Sequence, residues 1–295
     1  MQAIAYYIAL PFIYVLALIP YPLFHGVCDI VYVLIYYLIG YRKKVVRTNL
    51  QRSFPEKSRA EIRRIERRFY RYFCDLFLET FKTLVFSRPA ALRHCSLDES
   101  AVRLFDDYYN RKQSLILVLG HFGNWEWAGN AFSLQCGHQL YVIYHPLKNR
   151  YFNRLIVHMR TRFGTRLVPM RDTFREMVRY RQEVSATAFI ADQTPAPENA
   201  CWTSFLNQDT PVFWGTERIA RKLNYPVVYV CVRRTGRGRY RIFAETLFEE
   251  PARTPEGEIT LTHTRRLEQE IRQQPEIWLW SHRRWKHKRP LVNTL

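Results

Sequence analysis

Two side chains in the stretch SLILVLGHFGNWEWAGN, residues 114–130, have the types and spacing that acid–base chemistry needs: His121 and, with four residues between, Glu126. An apolar strand over 115–119 ends in Gly120-His121, and Asn124 offers an N-cap for the helix that follows. His121 therefore falls at the carboxyl end of a strand, where open α/β sheets place ligands. Glu126 falls in the first turn of that helix. From there its carboxylate is expected to turn back to the imidazole, hold its tautomer and stabilise the imidazolium once the other nitrogen has taken a proton. Gly123 lets the loop bend and lets a substrate approach the backbone. An imidazole oriented in this way is equipped to deprotonate a hydroxyl that attacks a thioester, an assistance of about 10²–10⁴-fold. No G-x-S-x-G elbow and no cysteine motif is present, so direct transfer is expected rather than a covalent acyl-enzyme. H-E-x-x-H is absent and no metal site is expected. A bare H-x4-E recurs by accident, and a single His after a strand is more often structural, so the surrounding elements must decide.

From about residue 114 short apolar runs alternate with helical stretches, which predicts an α/β fold: a central, mostly parallel or mixed sheet covered by helices. The strands are expected at 115–119, 139–144, 185–191, 227–232 and 240–247, and the helices at 147–163, 173–181, 215–223 and 259–272. Ahead of them Ser58 is a candidate N-cap, and Ile62, Ile65, Phe69, Phe73, Leu76, Thr80 and Leu84 recur at three- and four-residue steps of an amphipathic helix. Two units are expected, a membrane anchor with an interfacial helix over 1–41 and a single catalytic domain over 42–295.

The charge of +19 on 295 residues asks for anionic partners, and its placement narrows them. Up to Tyr41 the one formal charge is Asp29, and residues 3–24 form an uncharged apolar run of about the length that crosses a bilayer. This run lacks the basic start and cleavage site of a signal peptide, so an uncleaved anchor is expected, broken or tilted by Pro11, Pro20 and Pro22. Residues 42–71 then carry twelve Lys or Arg against three Glu, which places this flank on the cytoplasmic side against anionic lipid. A solvated charged face explains the arginines nearly as well. Six scattered cysteines without a CxxC pair point to a reducing compartment. The charge permits nucleic-acid binding, but no helix-turn-helix, zinc-finger or RNP-type signature supports it, and none is expected.

The block H-F-G-N-W-E at 121–126 resembles the H-x4-D/E block of the bacterial lipid A late acyltransferases, the lauroyl/myristoyl transferase family related to the glycerolipid acyltransferases. The resemblance continues in order through I-P-Y-P at 19–22, R-T-N-L-Q-R-S-F-P-E at 47–56, R-T-R-F-G at 160–164, A-D-Q at 191–193 and W-L-W-S-H-R-R-W-K at 278–286. It implies an enzyme on the cytoplasmic face of the bacterial inner membrane, with no permanently bound cofactor. The implied donor is an acyl thioester of acyl carrier protein, coenzyme A presenting the same thioester, and the implied acceptor is a lipid A precursor. It implies His121 as general base, Glu126 as its partner, and Arg160 or Arg162 with Asp192 as builders of the site.

The residues themselves add to this. Arg150, Arg154, His158 and Arg162 recur every four positions as a basic stripe suited to the phosphates of a glucosamine disaccharide, or to water. Gly123 and Asn124 are expected beside the substrate. The family's F-F-G block is replaced by Phe213-Trp214-Gly215, with Trp214 and Gly215 as candidate acceptor contacts at a helix N-terminus. His282, Arg283, Arg284, Lys286 and Lys288 could meet phosphate, the acidic carrier or anionic lipid. Two rivals remain: the same chemistry on another amphiphile, and a non-catalytic basic membrane-binding protein.

Overall fold

The computed structural model describes residues 2–289; the first residue and the last six, the outermost parts of the expected units 1–41 and 42–295, lie outside the described residues. The chain opens with two apolar helices, α1 (Gln2–Leu18) and α2 (Tyr21–Val33), the second running on as a π-helical turn over Leu34–Ile39. The expected apolar helix over 3–24 is thus broken. Pro20 restricts the residue before it to extended backbone and has no amide hydrogen, whereas Pro22 fits the first turn of α2. Among the described residues one helix is long and apolar enough to cross a membrane, the 19-residue Tyr21–Ile39.

Neither helix stands apart from the rest. Basic helix α3 (Lys43–Ser53) leads into α4 (Arg59–Lys82), which starts at a capping box in which the Ser58 hydroxyl accepts from the Glu61 amide and the Glu61 carboxylate accepts from the Ser58 amide. Ile62, Phe69 and Leu76 turn inward from α4 as the spacing predicts. Against it α2 buries Phe24, Cys28 and Tyr32, while the Lys82 ammonium donates to the carbonyls of Ala17 and Ile19. On the opposite side Ile4, Ile8, Phe12, Leu18, Leu23, Ile30 and Leu38 are exposed.

Beyond α4 the elements are α5 (Arg88–His94), β1 (Cys95–Leu97), α6 (Glu99–Asn110), β2 (Leu115–Leu119), α7 (Trp125–Gln135), β3 (Gln139–Tyr144), α8 (Arg150–Thr161), β4 (Arg166–Pro169), α9 (Thr173–Arg179), β5 (Ser185–Ile190), β6 (Ala200–Phe205), β7 (Gln208–Phe213), α10 (Gly215–Leu223), β8 (Val227–Gly236), β9 (Arg239–Phe248) and α11 (Glu258–Gln273). Seven strands form one mixed sheet in the order β1-β9-β8-β2-β5-β3-β4, parallel throughout except for the β8–β9 pair. The hairpin β6–β7 stands outside it. All five expected strands are present; β8 and β9 extend beyond the expected runs to ten residues each. The central strand shows why its sequence is apolar without alternation: Ile116 and Val118 enter one core and Leu115 and Leu117 the other, so both faces are covered.

Candidate active site

Strands β2 and β5 are parallel neighbours with Leu119 opposite Ile190. Two residues past each strand end stand His121 and Asp192, so the register itself brings them together at the carboxyl edge of the sheet. His121 Nδ1 lies 2.5 Å from Asp192 Oδ1, and the His121 backbone amide donates to Asp192 Oδ2 at 2.8 Å. Trp278 Nε1 donates to the same oxygen at 2.8 Å. The segment that carries this tryptophan is pinned along the loop, with Gly123 N donating to Ile277 O and Leu279 N to His121 O. Burial alone would push the Asp192 carboxyl up, but His121, the Arg284 guanidinium and the Trp278 donor together hold it well below the usual carboxylate range. A charged Asp192 makes Nδ1 the protonated nitrogen of a neutral His121 and leaves Nε2 as the acceptor. Nε2 faces a cavity of about 300 Å³ in which Gln193 Nε2 is its neighbour at 3.2 Å.

Glu126 does not meet the imidazole. Once Asn124 has capped α7 at the Trp127 amide (3.0 Å), the helix carries Glu126 onto the cavity wall, where Arg160 Nε and Nη2 take its two oxygens at 2.8 and 2.5 Å. The expected His121–Glu126 pairing is corrected to two pairs side by side, His121–Asp192 and Glu126–Arg160, all but Asp192 lining the cavity. The long-range partners win because each carboxylate is reached by donors better aimed than the near-sequence one.

The geometry is that of an imidazole held against a carboxylate at the edge of a cavity with apolar walls, with no Ser, Thr or Cys hydrogen-bonded to it among the described residues. Over residues 1–287 the chain matches the model of the bacterial lipid A biosynthesis acyltransferase family. It belongs to that family. Among curated proteins no match is found. Membership makes the chain an acyltransferase of the lipid A type and accounts for a cavity with Val142, Ile143, Leu147, Ile156 and Ile190 in its walls. Two smaller apolar hollows share its lining. One lies under α7 between Phe132, Leu140 and Ala188, the other lies against α10 between Phe189, Phe213 and Ile219.

Other expected contacts of this acyltransferase are redistributed. Asn124 is fully buried, its amide nitrogen donating to Glu79 Oε2 at 2.9 Å, so it serves the helix cap and not the cavity. Gly123 has φ +60°, and a Cβ there would stand 1.9 Å from the Val232 carbonyl oxygen, so its lack of a side chain answers to β8 and not to substrate. On α8 the stripe Arg150, Arg154, His158 and Arg162 is exposed and lies outside the cavity lining; Arg162 caps the Thr83 carbonyl instead. Arg160, two positions from both His158 and Arg162, is the one that turns in. Trp214 stacks under Arg218 and is not in the cavity wall, Phe213 is, and Gly215 borders the hollow against α10. Arg283 is exposed, but Arg284 is 2% exposed, which removes it from any phosphate or carrier contact. Sequence reasoning passed over Gln193, Trp278, Tyr72 and Glu79. The first two lie inside the blocks A-D-Q and W-L-W; Tyr72, which donates to Gly123 O at 2.7 Å, and Glu79 read as ordinary positions of an amphipathic helix.

Proposed function

We propose that this chain transfers a fatty acyl group from an acyl thioester, carried by acyl carrier protein, to a hydroxyl on an acyl chain of a lipid A precursor, with His121 as general base. The observation that carries the reading is the Nδ1 contact with Asp192, which leaves Nε2 as the acceptor on the cavity side, where the Gln193 amide is its neighbour. Nε2 takes the hydroxyl proton as the oxygen attacks the thioester carbonyl and a C–O bond forms. The tetrahedral intermediate then expels the thiolate, the C–S bond breaks, and the proton passes from the imidazolium to sulfur. Asp192 stays ionised and stabilises the imidazolium between these steps, as a carboxylate does behind a catalytic histidine. Gln193, beside the imidazole, and Arg160 are side-chain donors of the cavity wall from which the developing oxyanion draws stabilisation. Glu126 acts by holding Arg160 in a forked, bidentate pose.

Association with the cytoplasmic face of the bacterial inner membrane is part of the same reading. It is supported by the exposed apolar side chains of α1 and α2 and by a groove of about 540 Å³ beside them, lined by Tyr32, Tyr37, Arg63, Arg64, Arg67, Arg68 and Arg71. Among the described residues, none of Arg63, Arg64, Arg67 and Arg71 lies within 4.0 Å of a carboxylate, while arginines of α6, α9 and α11 pair with carboxylates of their own helices. The test is lipid mass spectrometry of a deletion strain complemented with wild type or with His121→Ala. Wild type is expected to restore one acyl chain on lipid A and the variant none. Restoration by His121→Ala would overturn the base assignment, and lipid A unchanged by the deletion would overturn the acceptor.

A further inference from the structure

The guanidinium of Arg284 is stacked on Phe205 at 4.8 Å and Trp278 at 6.0 Å from the ring centroids, and its Nε and Nη1 have no protein hydrogen-bond partner among the described residues. A buried cation held in this way loses its hydration and must be offset by a nearby anion. The groups that face it come from several elements. Asp192 follows β5, His263 and Thr264 belong to α11, and Tyr229 belongs to β8; with Leu119 of β2 these line one small hollow behind the imidazole. His282 stands beside Arg284 in the same segment, donating or accepting at the Thr194 hydroxyl. Burial, with Arg284 adding to it, pushes His263 down to about 4. Burial likewise pushes His282 down to about 4. At neutral pH the hollow therefore holds one cation, Arg284, and one anion, Asp192. On its other side Asp192 meets His121, which in turn shares the cavity with the Glu126–Arg160 pair and His145.

We propose that Arg284 is a positioning residue for the transfer reaction: from behind the Asp192 carboxylate its charge opposes that group's pull on the imidazole and so favours the unprotonated form in which His121 acts as base. The proposal rests on the reading of His121 as the base. The sign follows from the geometry. A carboxylate beside an imidazole favours the imidazolium, and a cation on the far side of the carboxylate opposes it. Removing that cation protonates the base at higher pH, while the fully deprotonated enzyme keeps its machinery.

The test is the pH dependence of kcat/KM for the full chain with an acyl carrier protein thioester and a lipid A precursor in detergent micelles. Arg284→Met is expected to move the acid limb up by about one pH unit, roughly tenfold less activity on the limb, with the alkaline plateau within about threefold of wild type. Arg284→Lys, which keeps the charge, is expected to return the limb to the wild-type position. A folded Arg284→Met enzyme whose limb does not move overturns the proposal, whether or not its plateau falls. Full activity of His121→Ala would instead overturn the underlying base assignment, so the two failures are distinguishable. Thermal unfolding supplies a second readout that does not need the single methionine variant to fold. Asp192→Asn strands the arginine, so the Asp192→Asn/Arg284→Met double variant is expected to unfold at a higher temperature than Asp192→Asn alone; a double variant that is no more stable counts against the pairing.

Discussion

Asp192→Asn separates the two carboxylates that compete for the role of His121's partner. In the native site three donors converge on Asp192: the His121 amide and Trp278 Nε1 on Oδ2, and His121 Nδ1 on Oδ1. An asparagine offers one acceptor oxygen and one NH₂ group. The oxygen is best spent where two fixed N–H donors meet, so the NH₂ falls against His121 Nδ1. That contact is tolerated only if Nδ1 carries no proton, which moves the proton to Nε2 and removes the base from the cavity. Loss of kcat on the order of 10³–10⁴ follows from a wrong tautomer, with KM changed by no more than about threefold because Asp192 does not line the cavity. Steady-state transfer from a radiolabelled acyl carrier protein thioester gives both constants, and ¹⁵N-histidine NMR reads the tautomer directly. Glu126→Gln should behave differently, loosening Arg160 and affecting KM at least as much as kcat. An Asp192→Asn enzyme within about threefold of wild-type kcat, beside an inactive Glu126→Gln enzyme, would refute the pairing and restore Glu126 as the partner.

Two further outcomes are expected. Burial, with Asp75 adding, lifts the Glu79 carboxyl from 4.5 to about 7, so the folded protein binds a proton there that the unfolded chain releases. This contribution is complete below about pH 4.5 and is lost as pH rises through 7, a swing of at most roughly 3 kcal/mol. Thermal unfolding of Glu79→Gln should therefore be flatter than wild type across that window and relatively more stable at pH 8, and an unchanged difference between the two proteins across the window would count against it. Replacing Arg63, Arg67 and Arg71 by glutamine should weaken partition to vesicles containing phosphatidylglycerol by roughly 10²-fold, at about 1 kcal/mol for each charge; equal sedimentation of both proteins would remove the groove from membrane docking.

How far the sequence could be read depended on the distance over which each choice is settled. The Ser58 cap and the apolar face of α4 are decided within a few residues, and they stand as expected, with Glu61 completing a capping box that was not foreseen. The strand ends at 119 and 190 are equally local, so His121 and Asp192 could each be placed on the ligand edge, yet their contact needs the β2–β5 register across 71 residues. Glu126 illustrates the opposite error: four intervening residues suggested a local pair, but the helix direction set by Asn124 and an arginine 34 positions away decided otherwise. Strands β1 and β4 escaped because they have only three and four residues, and β4 and β7 carry a proline, Pro169 and Pro211, that argues against a strand unless it lies at an edge. Arg284 read as a surface charge because nothing in a run of basic residues marks the one that turns inward.

The packing of α2 on α4 bears on how the protein can be prepared. A fragment cut after residue 41 to gain solubility would strip the cover from α4, taking away Phe24, Cys28 and Tyr32, the Tyr36 hydroxyl on Glu66 and the Asp29 end of the Arg237 bridge to Asp75. The same helix α4 holds the loop that carries His121, through Tyr72 on Gly123 and Glu79 on Asn124. Detergent around the intact chain, not deletion of its greasy end, is therefore the route to active material.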